Sequence, residues 1–313
     1  MSTAQKIAFK RVAGALGAEV EGLHLGHLDD ASFDELRAAF LEHQVLFFRD
    51  QEITREEHKK FGGRFGTLQI HPFLQPLKDQ GHPEFVVLES DAQHPFVAEA
   101  WHSDVTFVDN PPLGSVLRCI TAPEYGGDTM WASMYAAYEA LSDQMQHLLS
   151  DLVAIHDTAR SFSRPDYRTE HIGGTQAMKV ISAEHPVVRT HPETGRKGLF
   201  VNPVFTASIK GMKTGESAAL LSFLYRHIET PDFTCRFRWH PNSIAMWDNR
   251  CTQHRVCADN KTANRRMERV TIDGDRPFRK RLAPSRSTLH LSGSSRGEPR
   301  PEAQRMNRAK HPC

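Results

Sequence analysis

Two residues apart in the run Ala100-Trp101-His102-Ser103-Asp104-Val105-Thr106-Phe107 stand an imidazole and a carboxylate, a pair able to ligate a metal ion. In an extended strand, side chains at i and i+2 lie on one face about 7 Å apart, so His102 and Asp104 can converge on one ion while Trp101, Ser103 and Val105 face away. Alone the pair carries little weight. His-x-Asp/Glu also stands at His27/Asp29, His82/Glu84, His191/Glu193 and His227/Glu229, where a chance surface pair is the simpler reading. A second half comes later in the chain. The strand candidate Ile244-Ala245-Met246-Trp247 leads into the polar turn Asp248-Asn249-Arg250 and then to Cys251-Thr252-Gln253-His254-Arg255, where His254 is the candidate third ligand. Two histidines and one carboxylate on one face of an ion leave three positions open, an arrangement suited to non-haem Fe(II) oxygenases. Arg265 and Arg269 sit four apart at the start of a strand, and an arginine fork suits bidentate binding of a co-substrate carboxylate. Arg266 reads as a surface charge. Asp248 and Asn249 read first as turn formers and second as groups orienting the His254 loop.

The elements that position these groups come from a chain of 313 residues, enough for one large domain whose core can bury a site. Lys and Arg number 39 against 38 Asp and Glu, so no global field argues for nucleic acid or a membrane surface, and a small molecule is the expected partner. No run approaches the roughly 18 apolar residues of a membrane span. The opening MSTAQKIAFKR lacks the apolar core of a signal peptide, so the cytoplasm is the expected compartment. Cys119, Cys235, Cys251, Cys257 and Cys313 are an odd set without CxxC spacing, which predicts reduced thiols and neither a disulfide framework nor a cysteine zinc site.

Alternation at period two predicts an entry hairpin from Ile7-Ala8-Phe9 and Ala18 to Leu23. Asp30 is the expected cap of a helix whose Phe33, Leu36, Phe40 and Leu41 fall at helical spacing, and Val45 to Phe48 reads as a buried strand. Thr54-x-x-Glu57 is a capping-box pattern for a basic helix ending near Gly62 and Gly63. Residues 66 to 112 read largely as loop near the site, with a strand at Phe85 to Leu88. Strands are predicted at Gly114 to Ile120 and Met130 to Ala132, joined by the turn Tyr125-Gly126-Gly127-Asp128-Thr129. One helix is expected from Met134 to Leu152, its apolar stripe being core. Residues 157 to 185 read as a long loop or lid. A hairpin follows at Pro186 to Asn202, then a helix near Glu216 to Ile228 and strands at Thr234 to Trp239 and Ser243 to Trp247. Residues 1–278 thus form the expected domain, and the Ser/Pro/Arg-rich segment 279–313 a basic, disordered tail.

The motifs WHSDVTF, PEYGGDTMW, HPVVRTHPETGRKGLFVN and MWDNRCTQHR, in that order and with the arginines beyond, resemble those of the taurine/phenoxyacetate dioxygenase family of Fe(II)- and 2-oxoglutarate-dependent oxygenases. The likeness runs from about residue 7 to Phe278. It implies a mainly β fold with flanking helices, built on a double-stranded β-helix, or jelly-roll, core. It implies His102, Asp104 and His254 as ligands of Fe(II), with 2-oxoglutarate and O2 as co-substrates. Arg265 would pair with the distal carboxylate of 2-oxoglutarate, and Thr129, otherwise an ordinary turn residue, would add a hydroxyl hydrogen bond. Family members are commonly dimers or tetramers, so a homo-oligomer is expected.

By the same resemblance the substrate is a small organic anion hydroxylated beside a heteroatom. Arg269 corresponds to a position facing the family's substrate pocket. His71 matches a sulfonate-contacting histidine, and Ser161, Phe162 and Phe205 match pocket positions of the taurine-cleaving members. Taurine or a related alkylsulfonate ranks first, released as sulfite and an aldehyde. The chain departs from that branch at Leu74, where a tyrosine is expected; leucine leaves more apolar room for longer sulfonates, alkyl sulfates or aryloxyalkanoates. Ser133-Met134-Tyr135, Phe233-Thr234-Cys235-Arg236 and Trp247 to Cys251 resemble the aryloxyalkanoate branch. A reading of another class is a non-catalytic, metal-containing jelly-roll binding protein, which would have no use for Arg265.

Overall fold

The computed structural model describes residues 6–70, 81–93, 98–162, 180–260 and 263–280. Its largest sheet runs β1 (Ala8–Arg11), β2 (Ala18–Glu21), β3 (Val45–Phe48), β14 (Ile244–Asp248), β6 (Gly114–Thr121), β16 (Arg265–Ile272) and β4 (Leu68–Gln69), with β5 (Phe85–Ser90) also pairing β16. Its neighbours are antiparallel except β2 and β3. A three-stranded sheet of β13 (Thr234–Phe237), β7 (Thr129–Ser133) and β15 (Thr252–Val256) lies opposite it. Beyond stand the sheet of β12 (Thr206–Ile209), β8 (Val153–Asp157) and β9 (Ser182–Pro186), and the hairpin of β10 (Val188–Thr190) and β11 (Lys197–Leu199). The architecture is a jelly roll with helices packed outside.

The two faces of each central strand explain its sequence. Leu46, Phe48, Ile244, Met246, Val116 and Val270 point outward, under α1 (Asp30–His43) and α2 (Arg55–Gly63), whose Leu36, Phe40 and Phe61 complete that core. Val45, Phe47, Ala245, Trp247, Leu117, Cys119 and Met267 alternate with them and point inward, against Trp131, Cys235, Phe237 and Trp239 of the opposing sheet region. Burial on both faces is why Val45 to Phe48 reads as continuous apolar sequence. On β16 the same parity puts Arg265, Met267 and Arg269 inward and Glu268, Val270 and Ile272 outward, so two arginines face the space between the sheets. A third core lies under α3 (Met134–Glu139), α4 (Asp143–Leu149) and α6 (Thr214–Ile228).

Several expectations need correction. The helix expected from Met134 to Leu152 is two helices. Ser142 interrupts it and caps α4 by accepting a hydrogen bond from the Met145 amide at 3.3 Å. The apolar spacing crosses the break because both pieces pack on one core, while Leu148 is exposed. Asp29, not Asp30, caps α1, accepting from the Ser32 amide. The stretch 157–185 is structured at both ends: α5 covers Thr158–Phe162 and β9 pairs with β8. In β9 only Ala183 and His185 are buried, and polar neighbours hide the alternation. The lid expected there falls largely on residues 163–179, outside the described residues. The chain divides into units Met1–Arg279 and Lys280–Cys313, and the expected tail lies outside the described residues from 281 onward. Among the described residues no helix is long and apolar enough to cross a membrane.

Candidate active site

The His102 run is not the strand its alternation predicts. His102 makes a single antiparallel bridge to His254, with His102 N donating to His254 O at 3.0 Å and His254 N to His102 O at 2.8 Å. The chain then turns at Asp104, and Val105 takes φ +53°, a conformation strained for a β-branched residue. This turn is held from afar. The Asn249 side-chain oxygen accepts from the Asp104 amide at 2.7 Å, and its NH2 donates to the Asp104 and Pro112 carbonyls at 3.0 and 3.2 Å. Ser103 Oγ anchors the other face on Thr252 O at 2.8 Å.

Bridge and turn bring ligand atoms of His102, Asp104 and His254 within 4.8 Å of one another. The donor set fits a divalent metal in detail. His102 Nδ1 lies 2.9 Å from the Ala100 carbonyl, which can only accept, so Nδ1 carries the proton and Nε2 presents its lone pair beside Asp104, 3.8 Å away. Burial, and then the neighbouring His102, push the His254 imidazole down to about 3, leaving it neutral as a metal ligand must be. The His254 ring packs 4.7 Å from the Trp247 ring and 4.2 Å from that of His102.

Arg269 reaches this cluster, its Nη1 donating to both Asp104 oxygens at 3.1 and 3.2 Å. Arg265, on the same face of β16 and about 13 Å away along the strand, is buried beside Trp239. Its guanidinium carbon lies 5.9 Å from the Trp239 ring centre, and Trp239 Nε1 donates to Thr129 Oγ1 at 2.9 Å. Burial pushes the Arg265 guanidinium down to about 10, so it remains a cation at neutral pH. In the turn before Thr129, Gly126 and Gly127 take φ +74° and +69°, where an L side chain is strained, and a Cβ at Gly126 would stand 2.7 Å from Asn260 Cβ. Arg266 points outward and pairs with Glu89.

Phe205 stands beside the His102, Asp104 and His254 group, its ring centre 6.5 Å from that of His102, in an apolar group with Val105, Phe107 and Val204. Asn202 shapes that wall: its side-chain oxygen accepts from the Val204 and Phe205 amides, and its NH2 donates to Thr106 Oγ1. Ser161 and Phe162 close α5, with side chains outside the described residues, where His71 and Leu74 also lie. Sequence reading assigned no role to Asn202 or Trp239 and ranked turn formation first for Asn249. Asn202 and Asn249 stand inside the quoted motifs; Trp239 carries no sequence signal.

Residues 8–271 match the model of the taurine catabolism dioxygenase TauD, TfdA family. An alkylsulfatase of Acinetobacter baylyi is 36% identical over 278 residues, covering 87% of this chain and 86% of the relative. An alpha-ketoglutarate-dependent sulfate ester dioxygenase of Pseudomonas putida is 36% identical over 273 residues, covering 85% and 89%. The crystal structure of a taurine dioxygenase from Burkholderia xenovorans superposes with a TM-score of 0.74 at 38% identity, covering 87% of this chain and 90% of that one. With these likenesses over nearly all of the described residues, the chain belongs to the taurine catabolism dioxygenase TauD, TfdA family, and with it to the Fe(II)- and 2-oxoglutarate-dependent dioxygenases.

Proposed function

We propose that this chain hydroxylates a small alkylsulfonate or alkyl sulfate on the carbon next to the heteroatom, with taurine and its longer analogues ranking first. What carries the reading is the inward face of β16: Arg269 reaches the His102, Asp104 and His254 cluster, and Arg265 lies beside Trp239, which donates to Thr129. Two cationic positions suit two anions, substrate and co-substrate.

His102, Asp104 and His254 would hold the iron. Bound there with 2-oxoglutarate and O2, iron supplies the oxidation of a substrate C–H bond coupled to decarboxylation of the co-substrate. Arg265 and Thr129 hold the distal carboxylate of 2-oxoglutarate, and Arg269 holds the substrate anion. Val105, Phe107, Val204 and Phe205 pack the alkyl portion and exclude water, so that oxidation falls on the carbon presented. His71, Ser161 and Phe162 complete the substrate pocket in this reading. A carbon bearing both the new hydroxyl and a sulfonate or sulfate then collapses to an aldehyde, with the C–S or C–O bond electrons leaving on sulfite or sulfate.

The relatives support this class by name, since an alkylsulfatase, a sulfate ester dioxygenase and a taurine dioxygenase all take a sulfur oxyanion. The buried, unbridged Cys119, Cys235, Cys251 and Cys257 support a reducing, cytoplasmic setting. A dimer or tetramer is expected by family resemblance, and sedimentation checks it.

The test is succinate formation with Fe(II), ascorbate and 2-oxoglutarate under air, across taurine, longer alkylsulfonates, alkyl sulfates and phenoxyalkanoates. Succinate matched by sulfite or sulfate release is expected. Turnover confined to phenoxyalkanoates would move the chain to the aryloxyalkanoate branch. No turnover with any of these, in protein shown to hold iron, would leave only the binding-protein reading.

A further inference from the structure

We infer that Trp239 is a positioning residue of the co-substrate site: it turns the Thr129 hydroxyl into a donor aimed at the distal carboxylate of 2-oxoglutarate. This rests on the assignment of Thr129 and Arg265 to that carboxylate. The argument is one of donors and acceptors. An indole N–H can only donate, whereas a threonine hydroxyl has one proton and two lone pairs. Trp239 Nε1 gives its proton to Thr129 Oγ1 at 2.9 Å, and both side chains are buried. The hydroxyl proton therefore points away from the indole. A carboxylate has only acceptors, so the hydroxyl helps bind one only when its proton, not a lone pair, faces it. Without the indole N–H the hydroxyl loses that orientation.

Trp239 also touches the other half of the site, its ring centre lying 5.9 Å from the Arg265 guanidinium carbon. One side chain thus contacts both groups assigned to the carboxylate. It is itself fixed edge-on by Phe237, with ring centres 5.1 Å apart, and by Trp131 at 6.4 Å. Thr129 is fixed by its strand, opposite Phe237 on one side and Val256 on the other. Neither partner of the hydrogen bond has freedom to leave it.

The test measures equilibrium binding of 2-oxoglutarate to Zn(II)-loaded protein, which cannot turn over. Trp239→Phe, which keeps an aromatic side chain one ring smaller and removes the N–H, should raise the dissociation constant about fivefold, the worth of one net hydrogen bond. In a Thr129→Val background the same change should add nothing. An equal rise in both backgrounds, or none in the first, overturns the inference, because the indole would then act by packing or not at all. Thr129→Val and Arg265→Ala alone separate the two levels of assignment. If neither weakens 2-oxoglutarate, the carboxylate binds elsewhere and the underlying reading fails as well. A measurement on the unaltered chain guards against a variant that does not fold: the Trp239 indole N–H resonance should shift with 2-oxoglutarate and stay still with 2-oxobutyrate, which lacks the distal carboxylate. Equal shifts with both overturn the inference.

Discussion

His191, Asp248 and Cys251 lie as close together as His102, Asp104 and His254, within 4.8 Å, and all three are buried, whereas His102 is only partly so. Both groups pair an imidazole with a carboxylate, and both carboxylates meet an arginine. The difference is in how the surrounding donors use the oxygens. Asp248 Oδ1 accepts from the Arg250 amide and Nε, each at 2.9 Å, and Oδ2 from Arg250 Nη2 at 2.7 Å and His191 Nε2 at 3.0 Å. Four short bonds fill the roughly four lone-pair positions of a carboxylate. The bonds to Asp104 include longer ones, from one Arg269 nitrogen shared between its oxygens at 3.1 and 3.2 Å and from Ser115 Oγ at 3.5 Å. Proximity of ligand-type residues therefore does not by itself mark a metal site, since the Asp248 oxygens are engaged by four short bonds from the fold itself. The Asp248 group is a structural ion pair, extended by Arg250 to Glu193 at 2.9 Å, and it fixes the turn from which Asn249 reaches Asp104.

The comparison breaks most sharply on the two carboxylates. Asp104→Ala should abolish turnover and iron binding, with a modest loss of stability. Asp248→Ala leaves buried Arg250 with Glu193 alone and should cost about 3–5 kcal/mol in denaturant unfolding. Iron titration and unfolding of both variants decide, and the reverse pattern would exchange the roles given to the two clusters. Next is Asn249→Ala, which leaves every ligand in place but frees the strained Asp104 and Val105 turn. Metal affinity should fall at least about tenfold, and unchanged affinity would return Asn249 to the role of turn former. Arg269→Ala should raise the substrate KM more than the 2-oxoglutarate KM, and the opposite result would swap its role with that of Arg265.

The smallest effect is a pH slope. Burial pushes the Asp248 carboxyl up, but the charge and hydrogen bonds of Arg250, and then His191, outweigh it and hold the group below the usual carboxylate range. A carboxylate depressed in the folded state stabilises it above the unfolded pKa of about 3.9 and loses that contribution as pH falls through the folded value. Asp248→Asn should therefore flatten the dependence of unfolding free energy on pH below about pH 4 and leave the slope above it unchanged. His58 supplies the contrasting sign. Burial pushes its imidazole down to about 4, so the unfolded chain binds the proton first, and stability should fall as pH drops from about 6.5 toward 4. Replacement of His58 by glutamine should remove that part of the slope.

Much of the site was legible because its groups lie in short linear motifs. His102 and Asp104 share one run, and period two assigns Arg265 and Arg269 to one face of a strand wherever that strand ends up. β3 and β14 read as strands from short continuous apolar runs, both of their faces being buried, and period two is not what marks them. Period two misread the His102 run, whose alternating residues form a bridge and a turn, because a left-handed Val105 leaves no trace in residue types. It also could not rank the five His-x-acid pairs, since His191 and His102 look alike until their partners are known.

The sequence by itself determined the ligand types, the order of the motifs and the parity of the strands, all set by side-chain chemistry and backbone geometry over a few residues. Only the tertiary structure decided that Arg250 and His191 fill the Asp248 oxygens, that Asn249 holds Asp104 from 145 residues away, and that Trp239 meets Thr129 from 110. Those contacts depend on how two sheets close over one another, and a hydrogen bond across such a distance is specified by the packing of the whole core rather than by any stretch of it.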